Sequence, residues 1–265
     1  VAATPTPPTA QGDDRSGLLA LHVSNDMLAG ETGCWDWEAG FFLSEFIFNH
    51  PDLFRGKNIL ELGSGCGMAG VALARVAAAS VVCTDGDVEA LDNCLQNLRI
   101  NGLQVDEAAA APAALNSSEG AMEIQKIQVQ RLRWEDDAAN LFNTSSSIDI
   151  VLGADLTYDP VNIPPLIKIL KEILLFEANN DKSKDNNSKN DKGAVVYIAT
   201  TRRSEATFQT FLDALDAEPE LQVEDVSSID TVTGSNCVRF CHVESLEAAR
   251  GRIVLHRITA CPNLV

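Results

Sequence analysis

The sequence predicts an α/β fold, a doubly wound sheet with helices on both faces that finishes in a C-terminal antiparallel hairpin. Three observations predict it. Short β-runs alternate with helical segments through most of the chain. Those runs are continuously apolar, as strands buried on both faces are. A glycine cluster, Gly63-Ser-Gly-Cys-Gly67, stands between the first such run and a helix.

The elements follow in order. Residues 1–15 read as a disordered Pro/Thr/Ala-rich leader. With no basic or apolar region they do not form a secretory signal. The chain starts at Val1, as expected of a fragment or a processed product. Leu18 to Val23 is a short strand candidate. From Trp37 to Phe48, Phe41, Phe42, Phe46 and Ile47 recur near helical spacing, and the helix stops before His50-Pro51. Asn58 to Leu62 is a β-run, Met68 to Ala78 a helix, and Ser80 to Thr84 a second strand. Val88 to Asn101 forms a helix closed by Gly102.

The Ala-rich stretch from Asp106 to Gly120 is a loop insertion. Ile124 to Trp134 carries a third strand, Ile148 to Ala154 a fourth, and Ile163 to Phe176 a helix. Residues 178–192 are rich in Asn, Asp, Lys and Ser, so a disordered loop is expected there. Ala194 to Thr200 is a fifth strand and Ser204 to Ala217 a helix. Val238 to Val243 and Arg252 to Thr259 are the strands of the closing hairpin. Residues 16–265 therefore form one domain.

The chain has 265 residues, 45% apolar and 22% charged, which is ordinary globular composition. Acidic side chains number 38 against 20 basic ones, for a formal charge of −18. That balance argues against binding nucleic acid, whose phosphates it repels. No apolar run approaches the ~20 residues of a membrane span. The seven cysteines contain no C-x-x-C pair. Cys237, Cys241 and His242 could form half a metal site, but a second ligand pair at matching spacing is missing, so no metal is expected. The odd number of cysteines makes a reducing compartment, cytoplasm or nucleus, the expected one.

The chemistry centres on Glu61-Leu-Gly63-Ser64-Gly65-Cys-Gly67. Glycines here let the backbone turn sharply and clear a path for a ligand to the helix N-terminus. Asp85 follows Gly67 by eighteen positions, at the end of the next strand, where an acid can accept both hydroxyls of a ribose. A G-x-G alone also suits NAD enzymes, and a turn without a ligand is the bland reading. Dinucleotide sites, however, prefer G-x-G-x-x-G, and Glu61 would repel a pyrophosphate. It suits a nucleoside with a positive end, which is S-adenosylmethionine.

The chain resembles the seven-β-strand non-histone protein-lysine methyltransferases, most of all the branch that acts on elongation factor 2. The resemblance is carried by Thr32-Gly33-Cys-Trp-Asp-Trp37-Glu-Ala39, Leu60-Glu-Leu-Gly-Ser-Gly65, Thr84-Asp85, Leu132-Arg-Trp134 and Val151-Leu-Gly-Ala-Asp155-Leu-Thr-Tyr158-Asp-Pro160. The segment from Tyr197 to Phe211 is also similar. It implies a Rossmann-like seven-stranded class I methyltransferase sheet and an S-adenosylmethionine-dependent enzyme. The implied partner is a folded protein, elongation factor 2 or another translation factor, with no nucleic acid and no membrane.

The resemblance also implies the site. Trp37 would present a π face to the cofactor, although a Trp in an amphipathic helix can equally be core. Trp35 fits the pattern less well. Gly63, Ser64 and Gly65 would line the methionine and ribose, with Glu61 beneath them and Asp85 on the ribose hydroxyls. Trp134 would flank the adenine, with a core role as its alternative, and Ala154 would contribute backbone. Asp155 and Tyr158 would be catalytic, docking and orienting the lysine amine; a helix cap or turn is the alternative for Asp155. No motif carries a His, so positioning rather than a dedicated base would do most of the work. The N/D/S-P-P-Y/F tetrad of base- and glutamine-modifying enzymes is absent. An RNA or small-molecule methyltransferase, or a non-catalytic binding module on this fold, is the alternative to a lysine enzyme.

Overall fold

The computed structural model describes residues 18–23, 32–106, 126–135, 147–180, 193–230, 237–240 and 243–261. One seven-stranded sheet organises them, in the order β3-β2-β1-β4-β5-β7-β6. Its strands are β1 (Asn58–Leu62), β2 (Ser80–Asp85), β3 (Lys126–Arg131), β4 (Ile150–Ala154), β5 (Val195–Thr201), β6 (Leu221–Asp225) and β7 (Ile253–Ala260). The first five run parallel, and β7 inserts antiparallel between β5 and β6. This is the expected doubly wound sheet with an antiparallel end.

Helices cover both faces. α1 (Glu38–Asn49), α2 (Pro51–Phe54), α3 (Met68–Arg75), α4 (Val88–Ile100) and α7 (Glu244–Ala249) lie with one core; α5 (Ile163–Asn180) and α6 (Glu205–Asp216) cover the other. Alternation along each strand divides the side chains between the cores. Ile59 and Leu152 belong to the first, whereas Leu60, Leu62 and Val151 belong to the second. Local chemistry fixes the helix ends. The Asp87 carboxylate accepts from the Glu89 amide at 2.7 Å and caps α4, and Gly102 follows that helix with φ +77°. Pro164 and Pro165 stand in the first turn of α5, where their missing N–H groups are not needed.

Three expectations are corrected. The partner of β7 is Leu221–Asp225, not Val238 to Val243, and α7 stands between β6 and β7, so no simple hairpin forms. Residues 237–240 are not strand: Asn49 brackets Val238 with bonds to its N–H (2.8 Å) and from its own Nδ2 to the Val238 carbonyl (3.1 Å), and Glu45 accepts from the Phe240 amide. Leu18 to Val23 is extended but unpaired with any strand, because asparagines of α4 supply its backbone partners. Third, β3 is shorter than expected, so Trp134 lies beyond its end, and α5 runs on to Asn180, taking in residues 178–180 of the anticipated loop. Residues 181–192, the 1–15 leader, most of the Asp106–Gly120 insertion, Cys241 and His242 lie outside the described residues. Among the described residues no helix is long and apolar enough to cross a membrane, and no group of three His, Cys, Asp or Glu side chains is arranged to hold a metal.

Candidate active site

Strand order reverses between β1 and β4, and open α/β sheets bind ligands in the crevice outside the carboxyl ends at such a point. A cleft of about 590 Å³ opens there. All ten residues singled out from the sequence line it, brought from the α1 entry, the glycine turn, the ends of β2 and β4, and the segment after β3.

The glycine turn is held on several sides. The Ser64 amide donates to the Thr84 carbonyl at 2.8 Å, and the Thr84 hydroxyl donates to the Glu61 carbonyl at 2.7 Å, tying the turn to β2. The Asn97 amide donates to the Cys66 carbonyl at 2.9 Å from α4. Gly65 has φ +47°, and a Cβ there would stand 2.9 Å from the Gly33 carbonyl oxygen. The 3-10 turn Thr32–Cys34 is thus packed against the glycine turn, which gives the T-G motif its physical reason.

Asp85 ends β2 with its carboxylate facing the turn. One oxygen accepts from the Gly65 amide at 3.1 Å, the other from the Asp87 amide at 3.0 Å. Burial raises its pKa above the usual carboxylate range. Each oxygen keeps a lone pair for a hydroxyl donor. Trp134 faces the turn from the opposite wall, its Cζ2 3.7 Å from the place of a Cβ on Gly63.

Two carboxyl groups on the floor each keep one oxygen unsatisfied. Glu61 Oε2, Asp36 Oδ2 and the Ser64 hydroxyl are buried without a hydrogen-bond partner. Burial pushes Glu61 and Asp36 each up to about 7. Buried polar atoms are costly unless paired, so the floor fits a ligand with a cationic, hydrogen-bonding end. S-adenosylmethionine, with an α-ammonium and a sulfonium on a nucleoside, has that character.

The mouth is built differently. Asp155, just past β4, has φ +52° and a side chain only 4% exposed. Its carboxylate accepts from the Thr201 amide at 2.7 Å, the Thr201 hydroxyl at 3.0 Å and the Arg203 guanidinium at 2.9 Å. The same guanidinium bonds Glu38 at 2.5 Å and lies 4.9 Å above the Trp37 ring. Trp37 therefore offers a π face to a cation, and Arg203 holds it. Ala154 supplies the wall beside Asp155, and Tyr158, 62% exposed, forms the outer lip.

Sequence reasoning passed over three lining residues. Trp35, set aside in favour of Trp37, also lines the cleft. Asp36, between the two tryptophans, carried no signal because its burial is a tertiary effect. Arg203 lies in the Tyr197–Phe211 segment, which assigned it no role; the fold turns it inward while Arg202 pairs outward with Glu205 at 2.7 Å.

The sheet order and the position of the cleft define a Rossmann-like class I methyltransferase fold. The chain belongs to the lysine methyltransferase family, whose model matches residues 18–217. It is 31% identical over 191 residues to protein-lysine N-methyltransferase EFM3 of Chaetomium thermophilum, covering 70% of this chain and 47% of that protein. It is 28% identical over 202 residues to human protein-lysine N-methyltransferase EEF2KMT, covering 75% of this chain and 54% of that protein. The chain spans about half the length of these curated relatives.

Proposed function

We propose that the chain is an S-adenosylmethionine-dependent protein-lysine N-methyltransferase acting on a folded translation factor such as elongation factor 2, in the cytoplasm. The observation that carries this reading is the cleft at the strand switch point, where two acids with one unpartnered oxygen each line the floor and an aromatic, acidic mouth lies above it. Residues 16–265 act as one catalytic domain. Two relatives bear protein-lysine N-methyltransferase names, which supports lysine as acceptor.

In this reading Asp85 accepts the ribose hydroxyls, and Trp134 flanks the adenine. Gly63, Ser64 and Gly65 let the ligand approach the backbone closely. Glu61 and Asp36 answer its positive end. When bound, S-adenosylmethionine supplies a sulfonium-activated methyl that a neutral lysine Nζ takes in line, the N–C bond forming as the S–C bond breaks with its electrons left on sulfur. Lysine is protonated at neutral pH, with a pKa of ~10.4, so the mouth has to dock an ammonium and then let it shed a proton to water. Asp155 and Tyr158 orient it there and exclude water, and positioning supplies most of the rate.

The test is to incubate the protein with methyl-labelled cofactor and a cell lysate, half treated with nuclease and half with protease. Label in lysine of one or a few proteins is expected. Label that survives protease and vanishes with nuclease would overturn the lysine acceptor in favour of RNA.

A further inference from the structure

Arg203 occupies an unusual place for a cation at the mouth of a site that has to admit one. Its loop is pinned: the Arg202 amide donates to the Arg252 carbonyl and the Arg203 amide to the Thr201 carbonyl, both at 2.8 Å. The side chain then reaches back to bridge Asp155 and Glu38 across the Trp37 ring. A carboxylate accepts about four hydrogen bonds, and Asp155 already accepts three. One site, on Oδ1, remains for an incoming amine, beside a carboxylate that shares its guanidinium with Glu38.

We propose that Arg203 is a positioning residue that acts through Asp155, holding that carboxylate in place for the acceptor lysine while cancelling the charge that would otherwise keep the lysine protonated. The inference rests on the lysine methyltransferase reading above. A bare carboxylate pair, Asp155 with Glu38, would bind an ammonium firmly and hold its proton. With the guanidinium between them, the mouth carries two negative charges and one positive. A neighbouring cation favours the neutral amine, the effect by which a second cationic group activates a nucleophilic lysine. The proton leaves to water, and Nζ remains hydrogen-bonded to Asp155. The other charged groups lining the cleft are Glu61 and Asp36 on the floor, Asp85 and Asp87 at the end of β2, and Arg133 with Glu135, which pair with each other at 3.7 Å. Tyr158 stands at the lip, and Arg202 is engaged with Glu205 outside.

The experiment measures kcat against pH for the labelled acceptor found in lysate, using the full chain. In Arg203→Gln the limb that reports the acceptor amine is expected to move up by about one pH unit, roughly a tenfold loss at neutral pH. Arg203→Lys, which restores the charge, is expected to move it back. Arg203→Gln/Asp155→Asn, which removes both charges, is expected to return the limb toward the parent position despite a lower rate. A limb contributed by Asp36 and Glu61 stays common to all these proteins. A uniform loss of rate in Arg203→Gln, with the limb unmoved, overturns this inference alone. An absence of lysine label from the parent at every pH overturns the methyltransferase reading and this inference with it.

Discussion

Gly65→Ala should separate the turn's architecture from its composition. Two effects meet at this position. The residue has φ +47°, where an L side chain crowds its own carbonyl by about 1–2 kcal/mol. The new Cβ would also stand 2.9 Å from the Gly33 oxygen and 3.7 Å from its carbonyl carbon, both backbone atoms that cannot rotate away. Overpacking of this kind adds about 1–3 kcal/mol, so about 2–5 kcal/mol is expected in total. Relief requires moving the turn off the 3-10 turn, which also drags the Gly65 amide away from Asp85. The loss should therefore divide between stability and cofactor affinity. Gly56→Ala is the control: φ is +68°, but nothing lies within 4 Å of the added methyl and the residue is not part of the cleft, so only the backbone strain applies. Urea midpoints and calorimetric titration with S-adenosylhomocysteine read the two parts. A Gly65→Ala protein as stable as Gly56→Ala, with the parent's affinity, would refute the close-approach argument.

The remaining expectations use the same assays. Asp85→Ala should weaken S-adenosylhomocysteine by about 1–3 kcal/mol through lost charge-assisted hydrogen bonds, and unchanged affinity would mean the ribose is held elsewhere. Asp155→Ala should keep cofactor affinity and lose most methyl transfer; equal loss of both would make Asp155 structural or cofactor-facing. Asp36 has a folded-state pKa raised from 3.8 to about 7 by burial, so its contribution to stability is full below pH 4 and is lost as the pH rises through about 7. Asp36→Asn should flatten that fall between about pH 4 and pH 7 in urea titrations, and it should reduce the protons released when a cationic cofactor binds, measured calorimetrically in two buffers; superimposable curves would count against both. Glu45 is buried and accepts from Arg250 at 2.6 and 2.8 Å and from the Phe240 amide, so Glu45→Ala should cost about 3 kcal/mol, and a change under 1 kcal/mol in the urea midpoint would show the pair to be dispensable.

The parts of this protein that were legible in its sequence are those whose chemistry is imposed locally. The glycine turn, Asp85 at the end of the next strand and the acid before the turn are fixed by a single β-α-β unit, so spacing alone places them. Trp37, Trp134, Asp155 and Tyr158 were found only through family motifs, because three distant segments deliver them. Asp36 and Arg203 stood inside family-like segments without a role of their own, because one depends on what buries it and the other on which way its loop turns.

The misplaced strands share a physical cause that reaches beyond this chain. A β-run in sequence records that a segment is extended and half-buried, not that another strand supplies its hydrogen bonds. Ala20 and His22 pair with no strand: their N–H and C=O groups are met by the side-chain amides of Asn97 on α4 and Asn101 at its C-cap, one helical turn apart. Val238 is met in the same way by Asn49 of α1. Along one edge a primary amide presents a donor beside an acceptor in a plane, the pair that a neighbouring strand would offer. Its second N–H is free to bond elsewhere, as from Asn97 to the Cys66 carbonyl. Conversely, β6 is a true edge strand whose residues are largely exposed on one side, so Leu221–Asp225 carries little of the apolar signal that marks a strand. The asparagines at 93, 97 and 101 were the available clue: three amides at helical spacing on one face of α4 are poor helix formers unless something polar lies along them, and the extended backbone of residues 20–22 does.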